Sequence, residues 1–155
     1  MAKLGARKTR VPNWYLDISL IANYWSQNRV YHHTAPVNMV YALYQALLLI
    51  LEEGPVQVFK RHKDTHQMLV KGLEEMGLKM VVEKPGRLPM LNTVYCPEGI
   101  DELAARRCLR SEYRIEIGGG LGPLAGKIWR IGLMGHTARK ENVERFLDSL
   151  RKVIS

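Results

Sequence analysis

Between Val37 and Glu53 the chain runs through Ala42, Leu43, Ala46, Leu47, Leu48, Leu49, Ile50 and Leu51 before Gly54-Pro55 stops it. Thr34 and Pro36 supply a helix-start signal, and a Gly-Pro pair cannot continue a helix, so the spacing predicts one helix over 37–53. Its apolar residues cover almost the whole circumference. A helix of that kind is buried on several sides, and the remainder of the chain is short of material to bury it.

The rest of the pattern is that of an ordinary domain. With 155 residues, 46% hydrophobic and 25% charged, the chain has enough apolar content for one core. A second helix is expected over Val56–Met76, where Phe59, His62, His66, Leu69, Val70, Leu73 and Met76 recur at spacings of three and four and Gly77 caps the end. Strands are expected at Leu78–Glu83 and Met90–Cys96, with Lys84-Pro-Gly-Arg87 turning between them. Then come a helix over 100–112, a short strand at Ile115–Ile117, a glycine-rich loop over Gly118–Gly126, a strand at Ile128–Met134 and a closing helix from Glu141 to Val153. From residue 56 onward that order predicts an α+β domain, with helices covering one face of a small, mainly antiparallel sheet. The opening stretch from Trp14 to Trp25 is apolar and aromatic without a period, and reads as strand or helix.

Several function classes are disfavoured at once. The formal net charge of +8 invites a nucleic-acid reading. However, the basic residues are scattered, and no recognition motif or series of stacking aromatics accompanies them. No stretch approaches a membrane span and the N-terminus lacks a signal-peptide core, so a soluble intracellular protein is expected, with cytoplasm, peroxisome and mitochondrion indistinguishable. Cys96 and Cys108 lack metal-ligand spacing and read as reduced structural thiols. His62 and His66 lie one helical turn apart without the acidic partner of a metalloprotease helix, and His32-His33 lacks a supporting ligand cluster. No metal is expected. Gly118-Gly-Gly-Leu-Gly122 lacks the lysine and hydroxyl of a phosphate loop and reads as a tight connection, while Glu116 receives no role.

Three residues carry more specific chemistry. Arg130 interrupts an apolar strand between Trp129 and Ile131. It suits either a structural ion pair or a two-pronged grip on a ligand carboxylate. Tyr31 and Thr34 suit either a buried tyrosine beside a helix-capping threonine or a pair of hydroxyl donors to a phosphate.

Three stretches then resemble one family in order and separation. They are Arg29-Val-Tyr-His-His-Thr-Ala-Pro36, Ile115-Glu-Ile-Gly-Gly-Gly-Leu-Gly-Pro123 and Gly126-Lys-Ile-Trp-Arg-Ile-Gly-Leu-Met-Gly135. The chain resembles, from about Arg7 to its end, the C-terminal portion of the alanine–glyoxylate and serine–pyruvate aminotransferases, which are class V, fold-type-I enzymes. The resemblance implies that 1–53 is the tail of a large cofactor domain with the interdomain helix, and that 54–155 is the small domain. It also implies pyridoxal 5′-phosphate as cofactor, amino acids and 2-oxo acids as substrates, and a homodimer. Arg130 would hold the substrate α-carboxylate, and Tyr31 and Thr34 would hold the cofactor phosphate of the neighbouring subunit. The family's Schiff-base lysine maps upstream of this sequence, so the chain alone is expected to be inactive, with no catalytic residue of its own. Alternatives are a 3-hydroxykynurenine transaminase of the same family, a non-catalytic subunit or remnant needing a separate N-terminal chain, and a free-standing ligand-binding module.

Overall fold

Gly54 adopts φ +87° and Pro55 takes the first position of the next helix, so the backbone breaks where the sequence indicates. The computed structural model describes residues 2–155 and divides into two compact units, the first ending at Leu49 and the second running from Ile50 to Ser155.

The first unit is helical. A short turn of helix, α1 (Ala2–Gly5), precedes a 3-10 turn at Trp14–Leu16 and then α2 (Ile18–Trp25). Asp17 starts α2 by accepting from the Ser19 backbone N–H at 2.9 Å. That cap resolves the ambiguity of the opening aromatic stretch in favour of helix. Helix α3 (Val37–Glu53) follows and crosses into the second unit. None of its residues is buried, and Tyr41, Leu43, Tyr44, Leu47 and Leu51 are largely exposed. No single helix among the described residues is long and apolar enough to cross a membrane.

The second unit contains the core. Helix α4 (Pro55–Glu75) ends in a left-handed Gly77, with Leu78 N–H donating to Leu73 O at 3.0 Å and Gly77 N–H to Glu74 O at 2.9 Å. This paired closure also brings Leu73 and Leu78 into the core together. Strand β1 (Leu91–Tyr95), helix α5 (Glu102–Tyr113), strand β2 (Gly118–Gly119), strand β3 (Ile128–Gly132) and helix α6 (Lys140–Ile154) complete the unit. The sheet order is β1-β3-β2, antiparallel throughout, so the fold is α+β as expected. Val94, Trp129 and Ile131 meet Leu69 and Leu73 of α4, Leu109 of α5, and Val143, Phe146 and Leu150 of α6. The opposite face of the sheet presents Leu91, Thr93, Tyr95 and Arg130.

Two strand expectations need correction. Residues 78–83, between the Gly77 turn and a 3-10 turn at Lys84–Gly86, make a single bridge, Met80 with Val94, rather than a strand. Ile115–Ile117 is not a strand. The pairing with β3 falls instead on Gly118–Gly119, the beginning of the expected loop. Arg114, left-handed at φ 55°, closes α5 and delays the approach to β3 until the glycines.

Candidate active site

Arg130 sits at the centre of β3, half-buried on the face of the sheet away from the core. Its cross-strand neighbours are Thr93 of β1 and Gly118 of β2. Only the β2 side is free of a side chain, and the guanidinium turns that way. Its Nε–H donates to Gly119 O at 2.7 Å, and a Cβ on Gly118 would lie 3.3 Å from Nη2. The seven ion pairs among the described residues do not include Arg130, so the structural ion pair left open by the sequence is absent there. A half-buried guanidinium with its Nη edge uncommitted attracts a carboxylate, because desolvation strengthens charge-assisted hydrogen bonds.

Behind Gly119 lies a feature that sequence reading passed over. Glu102, buried at the start of α5, pairs with Arg106 one turn later, Nε to Oε1 at 2.5 Å. The Glu102 carboxylate, by hydrogen-bonding Arg106, pushes the guanidinium still further toward its charged form. A Cβ on Gly119 would lie 2.9 Å from Glu102 Oε1 and 3.0 Å from Arg106 Nη2. The indole N–H of Trp129, the residue before Arg130, donates to Glu102 O at 3.4 Å. An acidic residue four positions before an arginine was a legible helix pair. Nothing local signalled that it packs on a glycine beyond the end of its own helix. Nearby, burial first and the Glu102 and Asp101 charges second push the Cys96 thiol up, which keeps it protonated and a poor nucleophile. Cys96 and Cys108 are both free thiols.

Tyr31 and Thr34 belong to the first unit and come together, their hydroxyl oxygens 3.0 Å apart. Tyr31 is 66% exposed among the described residues, and its ring stands edge-on to Tyr24 at 5.7 Å. Thr34 lies just ahead of α3, whose first N–H groups carry partial positive charge. His32 and His33 pack on aromatic rings: His32 edge-on to Trp14 at 4.2 Å, His33 stacked on Tyr15 at 4.2 Å. In the second unit both nitrogens of His62 are engaged, Nδ1 with Val58 O at 2.7 Å and Nε2 by Gly135 N–H at 3.1 Å. His66 Nδ1 pairs with Asn92 Oδ1 at 2.6 Å.

No family model matches the chain. Its relatives among characterised proteins are nonetheless informative. It is 42% identical over 140 residues to the (S)-ureidoglycine–glyoxylate transaminase of Bacillus subtilis, covering 90% of this chain and 34% of that protein. It is 40% identical over 157 residues to the alanine–glyoxylate aminotransferase of Oryctolagus cuniculus, covering 99% and 40%. The crystal structure of the alanine–glyoxylate aminotransferase of a Nostoc species superimposes with a TM-score of 0.94 at 50% identity, over 99% of this chain and 41% of that one. Its homologues are thus alanine–glyoxylate and ureidoglycine–glyoxylate aminotransferases, and its structural neighbours are class V aminotransferases. It spans about two fifths or less of the length of the relatives it matches, and a C-terminal portion of such an aminotransferase fits that coverage. The α+β unit around Arg130 therefore has the fold of the corresponding part of those aminotransferase structures.

Proposed function

We propose that the chain serves in a pyridoxal-phosphate-dependent aminotransferase that moves an amino group from alanine or serine to glyoxylate or pyruvate, in a homodimer. The lysine that binds the cofactor covalently is, on this reading, supplied from outside these 155 residues, and the chain by itself does not turn over. Residues 1–53 then belong to the cofactor domain and 54–155 to the small domain. The observation that carries the reading is Arg130, fixed through Nε and otherwise unpaired among the described residues, on an open sheet face.

The phosphate of the cofactor fits the Tyr31–Thr34 pair. Two exposed hydroxyls already 3.0 Å apart exchange their mutual hydrogen bond for two donations to an anion with little reorganisation. The start of α3 adds favourable partial charge. When bound, the cofactor supplies the electron sink and carries the amino group. Arg130 presents Nη1 and Nη2 to the α-carboxylate, where two parallel hydrogen bonds fix substrate orientation. Its strand position sets the reach of the grip, since β3 is paired along both edges.

The test is substrate-selective. In a complete enzyme containing these residues, Arg130→Ala should lower kcat/KM for alanine by a transition-state cost of about 2–5 kcal/mol. A primary amine lacking the carboxylate should be nearly unaffected. Equal losses for both compounds would make Arg130 structural and remove the basis of the assignment.

A further inference from the structure

We propose that Glu102 and Arg106 are positioning residues for Arg130, acting through Gly119; the inference rests on Arg130 being the carboxylate grip. Gly119 is held between two charged groups. Its carbonyl oxygen accepts from Arg130 Nε at 2.7 Å, and the Glu102–Arg106 pair closes on its other side. The pair lies so near that an added Cβ would meet Glu102 Oε1 at 2.9 Å and Arg106 Cζ at 3.2 Å. β2 consists only of Gly118 and Gly119 and has no side chains of its own to hold it in place. What fixes the Gly119 carbonyl is its ladder with β3 on one side and the pair of buried Glu102 with half-buried Arg106 on the other.

The consequence is a division of labour within one guanidinium. Nε is committed to Gly119 O, which sets the plane of the group and leaves Nη1 and Nη2 as the edge that meets a carboxylate. Moving β2 by a few tenths of an ångström turns that edge, so the pair on α5 tunes substrate affinity without touching substrate. Trp129 ties the same region together, since its indole N–H reaches the Glu102 carbonyl.

The experiment uses the complete holoenzyme and two readouts: kinetics with alanine and with a primary amine lacking the carboxylate, and calorimetric affinity for propionate as a non-reacting carboxylate. Arg106→Met and Gly119→Ala should each raise the alanine KM and weaken propionate binding by about tenfold, within the coupling range of neighbouring groups, with kcat and the amine reaction changing less than about twofold. In an Arg130→Ala background Arg106→Met should add nothing further. Glu102→Gln keeps the shape and removes the charge. It should give a smaller shift of the same kind, and it carries the test if Arg106→Met does not fold. Unchanged propionate affinity, equal losses on alanine and the amine, or an undiminished effect of Arg106→Met without Arg130 would each overturn the positioning role. If Arg130→Ala alone fails to discriminate alanine from the amine, the carboxylate reading itself falls, an outcome separable from the others.

Discussion

Gly118, Gly119 and Gly120 each have a different neighbour in the space a side chain would take. A Cβ on Gly118 would press on Nη2 of Arg130, one on Gly119 on the Glu102–Arg106 pair, and one on Gly120 would overlap the Leu124 carbonyl oxygen. The first two neighbours are side chains that can give way. The third is backbone, so Gly120→Ala should destabilise the second unit by about 3 kcal/mol, the upper part of the range for overpacking, read as a lowered chemical-denaturation midpoint. Arg130 shows where reading a sequence stops. Its residue type and apolar flanks left two roles open, and the resemblance chose one. The guanidinium's commitment to Gly119 depends on a cross-strand register that no local pattern encodes.

At the scale of elements, Glu53 at the end of α3 pairs with Arg61 of α4, Nε to Oε1 at 2.5 Å. The Nη1 of the same arginine donates to Gly135 O at 2.8 Å and Ala138 O at 2.7 Å. Glu53 thus helps to place the cation that pins the loop after β3. The Arg61 hydrogen bonds hold the Glu53 carboxyl below its ordinary value of 4.5, and reciprocally push Arg61 up. For a lowered carboxyl the stabilisation is present above the unfolded value and is lost as pH falls through the folded one. Urea midpoints measured against pH should therefore fall below pH 4.5 more steeply in the parent than in Glu53→Gln, with parallel curves counting against the pair. The same helices were the most legible part of the chain. Gly54-Pro55 and Gly77 act through backbone geometry that any context must obey, so the boundaries of α3 and α4 agree with expectation to within a residue. β2 was illegible because strand propensity resides in Ile115 and Ile117. On the side of Arg130 toward which its guanidinium turns, the pairing falls on residues with no side chain at all.

For the whole molecule, the exposed circumference of α3 matters most. On the proposed reading it is an interdomain helix covered by protein beyond these residues, which would account for its exposed apolar side chains. The proposed placement of Tyr31 and Thr34 across a dimer can be tested by mixing protomers. One carries Tyr31→Phe with Thr34→Val; the other lacks the cofactor-binding lysine. Action in trans brings the intact lysine of the first protomer together with the intact hydroxyls of the second, so one of the two hybrid sites is whole and about half the normal activity should return. Activity that stays low, as expected when each site keeps a defect of its own, would show action in cis. The core described above also has a consequence for biosynthesis. Val143, Phe146, Leu147 and Leu150 all come from α6, the last helix of the sequence, and pack against residues laid down from Leu69 onward. The nascent second unit cannot close its core until α6 has been made, so β1 waits through the synthesis of more than half the unit without one of the helices that cover it. A chain stopped at Ala138 should accordingly remain protease-sensitive throughout the second unit, rather than fold as a slightly shorter version of it.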